Sequence, residues 1–148
     1  MKFQAIVCAI DFSLASRKAL EVAVTMAKRF DATLTLLHVY PTPGYVLPEG
    51  FVVAAPEALV RVDEAAHAAM DQWVKNAETL GAPQVTGHLA MGHPASEVER
   101  WLISHPSDLL VLGSHGHSAI GSMLLGSVAD RLARTVGIPL LLVPGKEG

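Results

Sequence analysis

The chain has one cysteine, no run of lysine or arginine, and no apolar stretch approaching the ~20 residues that span a bilayer. With Cys8 alone, no disulfide can close within the chain, which accords with a reducing compartment. Eleven basic residues stand against fourteen acidic ones, for a net charge of −3. Nucleic acid as the main partner is thereby disfavoured, since that binding rests on a basic face neutralising phosphates. The opening residues, Met1 to Asp11, carry one positive charge and too short an apolar run for a signal peptide. A cytoplasmic protein with no membrane partner is expected.

What is present is apolar. Hydrophobic residues make up 51% of the chain and charged ones 17%, which is greasy for a soluble monomer and points to surface covered by a partner. A length of 148 residues suits one domain, 1–148, with roughly two thirds of its unfolded surface buried. Ala5 to Ile10 is a near-continuous apolar run, the pattern of a strand covered on both faces. Ser13 can cap a following helix, in which Leu20, Ala23, Val24, Ala27 and Phe30 recur at helical spacing and Lys28 and Arg29 complement the C-terminal dipole.

Further strands are expected over Thr33 to Val39, Gln84 to Ala90, Ser107 to Leu112 and Ile138 to Val143. Helices are expected over Glu57 to Leu80, closed by Gly81 and Pro83, from about Ala95 to Ser104, and from Val128 to Val136. Tyr40 to Pro56, with four prolines and two glycines, reads as an irregular excursion. Trp73, Trp101 and the methionines read as core. Alternating strands and helices imply an α/β fold: an open parallel sheet with helices on both faces, binding its ligand beyond the carboxyl ends of the strands.

The stretch from Gly113 to Asp130 carries the chemistry. It leaves the apolar run Leu109 to Leu112 through glycines into a helix, the place where α/β proteins hold phosphate on main-chain amides. Ser127 is placed to cap that helix, with Asp130 as its reciprocal partner in a capping box. Each glycine alone could be a plain turn residue; strand, loop and helix start coincide only if they are taken together. No Lys or Arg lies inside the loop, so the backbone N–H groups of Ser127, Val128 and Ala129 and the helix dipole would neutralise the anion, with a divalent ion such as Mg²⁺ wanted beside a highly charged ligand.

The spacing Gly113-x2-Gly116-x9-Gly126-Ser127 resembles the signature of the universal stress protein family in its ATP-binding branch. The likeness runs over nearly the whole chain, through Asp11, the strand end Leu36-Leu37-His38-Val39, the turn Gly92-His93-Pro94 and the closing strand Pro139 to Val143. It implies a Rossmann-like, adenine nucleotide alpha hydrolase-like sheet of five parallel strands in the order 3-2-1-4-5, with ATP or another adenine nucleotide as ligand. It also implies that Asp11 contacts the nucleotide, that backbone around Val39 meets the adenine edge, that Leu112 lies near the sugar, and that His115 faces the ligand. Ala9 stands where ATP-binding members often carry Pro.

Two readings of Asp11 remain open at this stage: a ligand contact, or a carboxylate that holds the next helix. His115 and His117, with no Cys, Asp or Glu between them, read as hydrogen-bond partners for phosphate or solvent instead of metal ligands. His38 and His93 fall near the same rim, whereas His67, His88 and His105 belong to no constellation. No nucleophile with an evident base and orienting group is present. The expectation is a nucleotide-dependent regulatory homodimer, paired through the closing strand 138–143 and serving unidentified protein partners. A slow ATPase or nucleotidyl transferase in the same cleft, and a binding module of the same fold for another ligand, are the alternatives.

Overall fold

The computed structural model describes residues 1–115 and 125–145. Its frame is β1 (Ala5–Ile10), α1 (Leu14–Phe30), β2 (Thr33–Tyr40), β3 (Gly44–Leu47), β4 (Gly50–Val53), α2 (Pro56–Thr79), β5 (Gln84–Met91), α3 (Pro94–Ser104), β6 (Leu109–Gly113), α4 (Ser127–Thr135) and β7 (Leu140–Val143). Five strands form one parallel sheet in the order β5-β2-β1-β6-β7, and β3 and β4 form a separate antiparallel pair. Counting only the main-sheet strands, that order is the 3-2-1-4-5 expected from the resemblance.

Period-two alternation sorts the sheet residues into two layers. Ile6, Cys8 and Ile10 of β1, with Leu34, Leu36, Leu109 and Val111, pack under α1 and α2 around Ala19, Ala23, Met70 and Trp73. Val7 of β1, with Leu37, Val39, Leu110 and Leu112, packs on the other side against Ala95, Val98, Ala129 and Leu132 of α3 and α4. Continuous apolar runs were needed because both faces are covered.

Ser13 caps α1, its side chain accepting from the Ser16 N–H at 3.2 Å, and Asp31 closes the helix in the left-handed conformation at φ 52°. Gly81 ends the approach to β5 with φ +99°, a conformation that costs glycine little.

The structure corrects two expectations. Residues 40–56 are not irregular throughout: β3 and β4 make a hairpin, turned by Pro48 and Glu49 with Gly50 at φ 132°. The prolines flank the strands instead of interrupting them, and Tyr45-Val46-Leu47 and Phe51-Val52-Val53 have the β-branched and aromatic composition of strands. Trp101 is only partly buried and Met91 is exposed, so neither is core in the sense of Trp73 and Met70.

Candidate functional site

β1 and β6 lie side by side, with Ala9 opposite Leu112. From β1 the chain crosses through α1 to β2 on one side; from β6 it crosses through α4 to β7 on the other. The two connections diverge, and a crevice opens past the strand ends. It is a cavity of about 510 Å³, lined by Ala9, Asp11, Val39, Leu112, Gly113, His115, Gly126, Ser127, Val128 and Ala129. The structure thus gathers these sequence-derived candidates in one place. Gly116 and His117 lie outside the described residues.

One wall is polar. The Asp11 N–H donates to Ser16 Oγ at 2.8 Å, and the Ser16 hydroxyl donates back to Asp11 Oδ1 at 2.7 Å. Oδ1 also accepts from the Ser13 N–H at 3.0 Å. The duller role of Asp11, fastening the start of α1, is therefore real, and it coexists with a place on the cavity wall. Phe12 makes the turn in the left-handed region at φ 62°, with its ring 4.1 Å from that of His38 and 5.5 Å from that of Trp73.

The opposite wall is the start of α4. Here the expected capping box is absent. Gly126 holds the cap position, Ser127 is the first helical residue, and among the described residues no side chain closes the helix start. A box needs an acceptor three residues after the cap, and that position is Ala129, not Asp130. Asp130 instead accepts from Arg134 Nη2 at 3.1 Å. The Gly126 N–H donates to the Ser114 carbonyl at 2.7 Å. Among the described residues, nothing accepts from the amides of Ser127, Val128 or Ala129, which therefore present the positive end of the helix to the cavity.

His115 is hydrogen-bonded through Nδ1 to Ser114 Oγ at 2.9 Å, and its Nε2 is buried without a partner among the described residues. A buried polar atom in that state is costly unless something completes it. Gly113 has a different task from the one its motif implies. A Cβ there would meet Ala15 of α1 and not a ligand, so this glycine admits the helix to the sheet.

His38 and His93, expected near the rim, are not cavity residues. His38 has the parity of Leu36, so it turns to the α1/α2 side, where its Nδ1–H donates to the Ile10 carbonyl at 2.8 Å. His93 is spent as the residue before α3. Ile10, Ser16, Leu37, Pro41, Pro94, Val98 and Ser114 line the cavity and were not anticipated. Parity with Val39 could have found Leu37; Ser16 gave no signal short of the fold. His88 and His105, read as unconnected, sit on the ring of Trp101 with centroids 4.2 and 3.5 Å away. Burial, and then the neighbouring His105, hold the His88 imidazole below its ordinary value.

Comparison with known proteins bears on this arrangement. The sequence profile of the universal stress protein family matches residues 2–144. The chain belongs to the universal stress protein family. A universal stress protein of Thermus aquaticus is 31% identical over 142 residues, covering 95% of this chain and 98% of its own. The solved structure of the universal stress protein UspA from Lactobacillus plantarum is 28% identical, with a TM-score of 0.81 over 97% of this chain and 99% of that one. Another solved universal stress protein, in complex with cAMP, shares the fold at 24% identity and a TM-score of 0.74, over 99% of this chain and 100% of its own. For this universal stress protein the described residues contain no helix long and apolar enough to cross a membrane.

Proposed function

We propose that this universal stress protein binds an adenine nucleotide, ATP foremost, in the cavity between β1 and β6 and acts as a nucleotide-dependent regulator in the cytoplasm. One observation carries the reading: one cavity of about 510 Å³ combines an apolar floor with first-turn amides of α4 that have no acceptor among the described residues. Such a volume lies within the ~300–1,000 Å³ of small-molecule sites. Ala9, Leu37, Val39, Val98 and Leu112 suit a flat aromatic base, and Asp11 suits ribose hydroxyls. The amides of Ser127, Val128 and Ala129 suit phosphate, and the Nε2 of His115, without a partner among the described residues, suits a phosphate or sugar oxygen. The cAMP complex of a protein with the same fold supports adenine as the base.

Mg²⁺ would be held chiefly by phosphate oxygens and water; Asp11 is the one carboxylate among the described cavity residues. The cation would supply charge neutralisation, while the chain itself supplies orientation. β7 lies at the sheet edge, and we propose that it pairs with its twin in a homodimer that presents a nucleotide-dependent surface to partner proteins.

The test is to denature freshly purified protein and resolve the released small molecules by anion exchange at the adenine absorbance, alongside calorimetric titration with ATP, ADP and AMP with and without Mg²⁺. An adenine nucleotide in the supernatant, or saturable binding lost in Gly126→Leu, is the expected result. Binding retained in full by that folded variant, or no binding of any of the three, refutes the reading.

A further inference from the structure

The hairpin is unlike the rest of the molecule. β3 and β4 pack chiefly on each other, and an isolated two-stranded hairpin is marginal in water. Its register sets Tyr45 opposite Val52 and Val46 opposite Phe51. One face therefore carries Tyr45, Leu47 and Val52, and the other Val46, Phe51 and Val53. Both faces are apolar, and both are exposed. Tyr45 is 56% exposed, Val46 80%, Leu47 42%, Phe51 53% and Val53 52%. Between Pro41 and Ala55, Glu49 in the turn is the one charged residue.

Among the described residues the ladder also leaves an open edge. Ala54 N–H donates to the Pro43 carbonyl, so by antiparallel alternation the pairs Pro43–Ala54, Tyr45–Val52 and Leu47–Gly50 close on each other. The N–H and C=O groups of Phe51 and Val53 then point away from β3. Pro41 and Pro43 guard the approach to β3, but β4 has neither proline nor charge, the usual protections of an edge.

We propose that β4 is a self-association edge that pairs antiparallel with β4 of a second copy, joining two hairpins into a four-stranded sheet. Antiparallel pairing of identical strands is generated by a two-fold axis perpendicular to the sheet, and an uncharged strand is complementary to itself. Using the outward groups of Phe51 and Val53 sets the register: Val52 faces Val52 of the partner subunit, and Phe51 faces Val53 of the partner subunit. The exposed side chains present on the order of 500 Å² of apolar surface per copy. This contact is separate from the β7 edge and independent of what the cavity holds.

The test uses the full chain and light scattering after size exclusion at micromolar concentration. Phe51→Pro removes an outward N–H and none of the hairpin's own bonds, as edge strands tolerate. It is expected to lower the mass of the wild-type particle, to a monomer if β4 is the one contact and to the β7-paired dimer if β7 pairs as well. Independently, Val52→Cys is expected to crosslink to a disulfide dimer on mild oxidation, since directly opposed residues in a non-hydrogen-bonded pair lie ~4.5 Å apart at Cα. Tyr45→Cys, three strand spacings or about 14 Å from its twin, is expected to stay single. A monomeric wild type, an unchanged mass in folded Phe51→Pro, or a Val52→Cys chain that does not crosslink overturns the proposal.

Discussion

A Cβ placed on Gly113 would lie 2.9 Å from the Cβ of Ala15 and 3.1 Å from the Ala15 carbonyl carbon. The last residue of β6 and the first turn of α1 are thus in contact through an absent side chain. Gly145, beyond β7, approaches the same alanine, with a Cβ there falling 3.0 Å from that of Ala15. Gly113→Ala should lower stability by about 1–3 kcal/mol through overpacking, read as a lower urea midpoint at unchanged slope. Ala15→Gly added to it should recover part of that loss. A double variant that loses the sum of the two single losses would show that the two positions do not couple.

Ser16 is expected to matter more than a helix-surface serine. Its hydroxyl both accepts from the Asp11 N–H and donates to the Asp11 carboxylate. Ser16→Ala should cost about 1–3 kcal/mol, because a part-buried amide loses an acceptor. Equilibrium denaturation measures it, and a change within a few tenths of a kcal/mol would remove Ser16 from the support of this wall.

Glu99 ties α3 to α4. Its carboxylate accepts from Arg131 Nε at 3.1 Å and Nη2 at 2.9 Å, and from the Thr135 hydroxyl at 2.7 Å. The Arg131 guanidinium first, and the Thr135 hydroxyl next, hold the carboxyl below its usual range. Since the folded value lies below the unfolded one, the stabilisation is complete above the ordinary glutamate value and is lost as pH falls through the folded value. The wild type should melt higher than Glu99→Gln at neutral pH, and the gap should close on acidification. A gap that persists at the lowest pH where the protein still folds would contradict this.

Cys8 is fully buried in β1, and burial pushes its thiol up to about 12. The thiolate is the reactive form, so the native protein should resist thiol reagents at mildly alkaline pH and react at once in denaturant. Labelling of the native state at the rate of a free thiol would place Cys8 elsewhere.

The layers and strand order were readable because buried parallel strands are uninterrupted apolar runs, as in Ala5–Ile10 and Leu109–Leu112. The site was readable because glycine spacing and a helix start coincide after one of them. What escaped reading depended on tertiary parity or on cap position. His38 follows Leu37 in sequence but faces the other layer, and a one-residue shift of the cap to Gly126 dissolves the Ser127–Asp130 box. The hairpin escaped because four prolines suggest loop, although here they stand outside the paired residues. In the His88–Trp101–His105 stack, Trp101 and His105 are four apart at the end of α3, but His88 joins them from β5, which no local pattern connects.

The two tryptophans stand on opposite sides of the sheet: Trp73 beneath Arg17 and beside Phe12, Trp101 between two imidazoles. Each helical layer consequently owns its own intrinsic fluorophore in a chemically distinct setting. With one or the other replaced by phenylalanine, emission would report whether the layers loosen together or one before the other, without any label being attached.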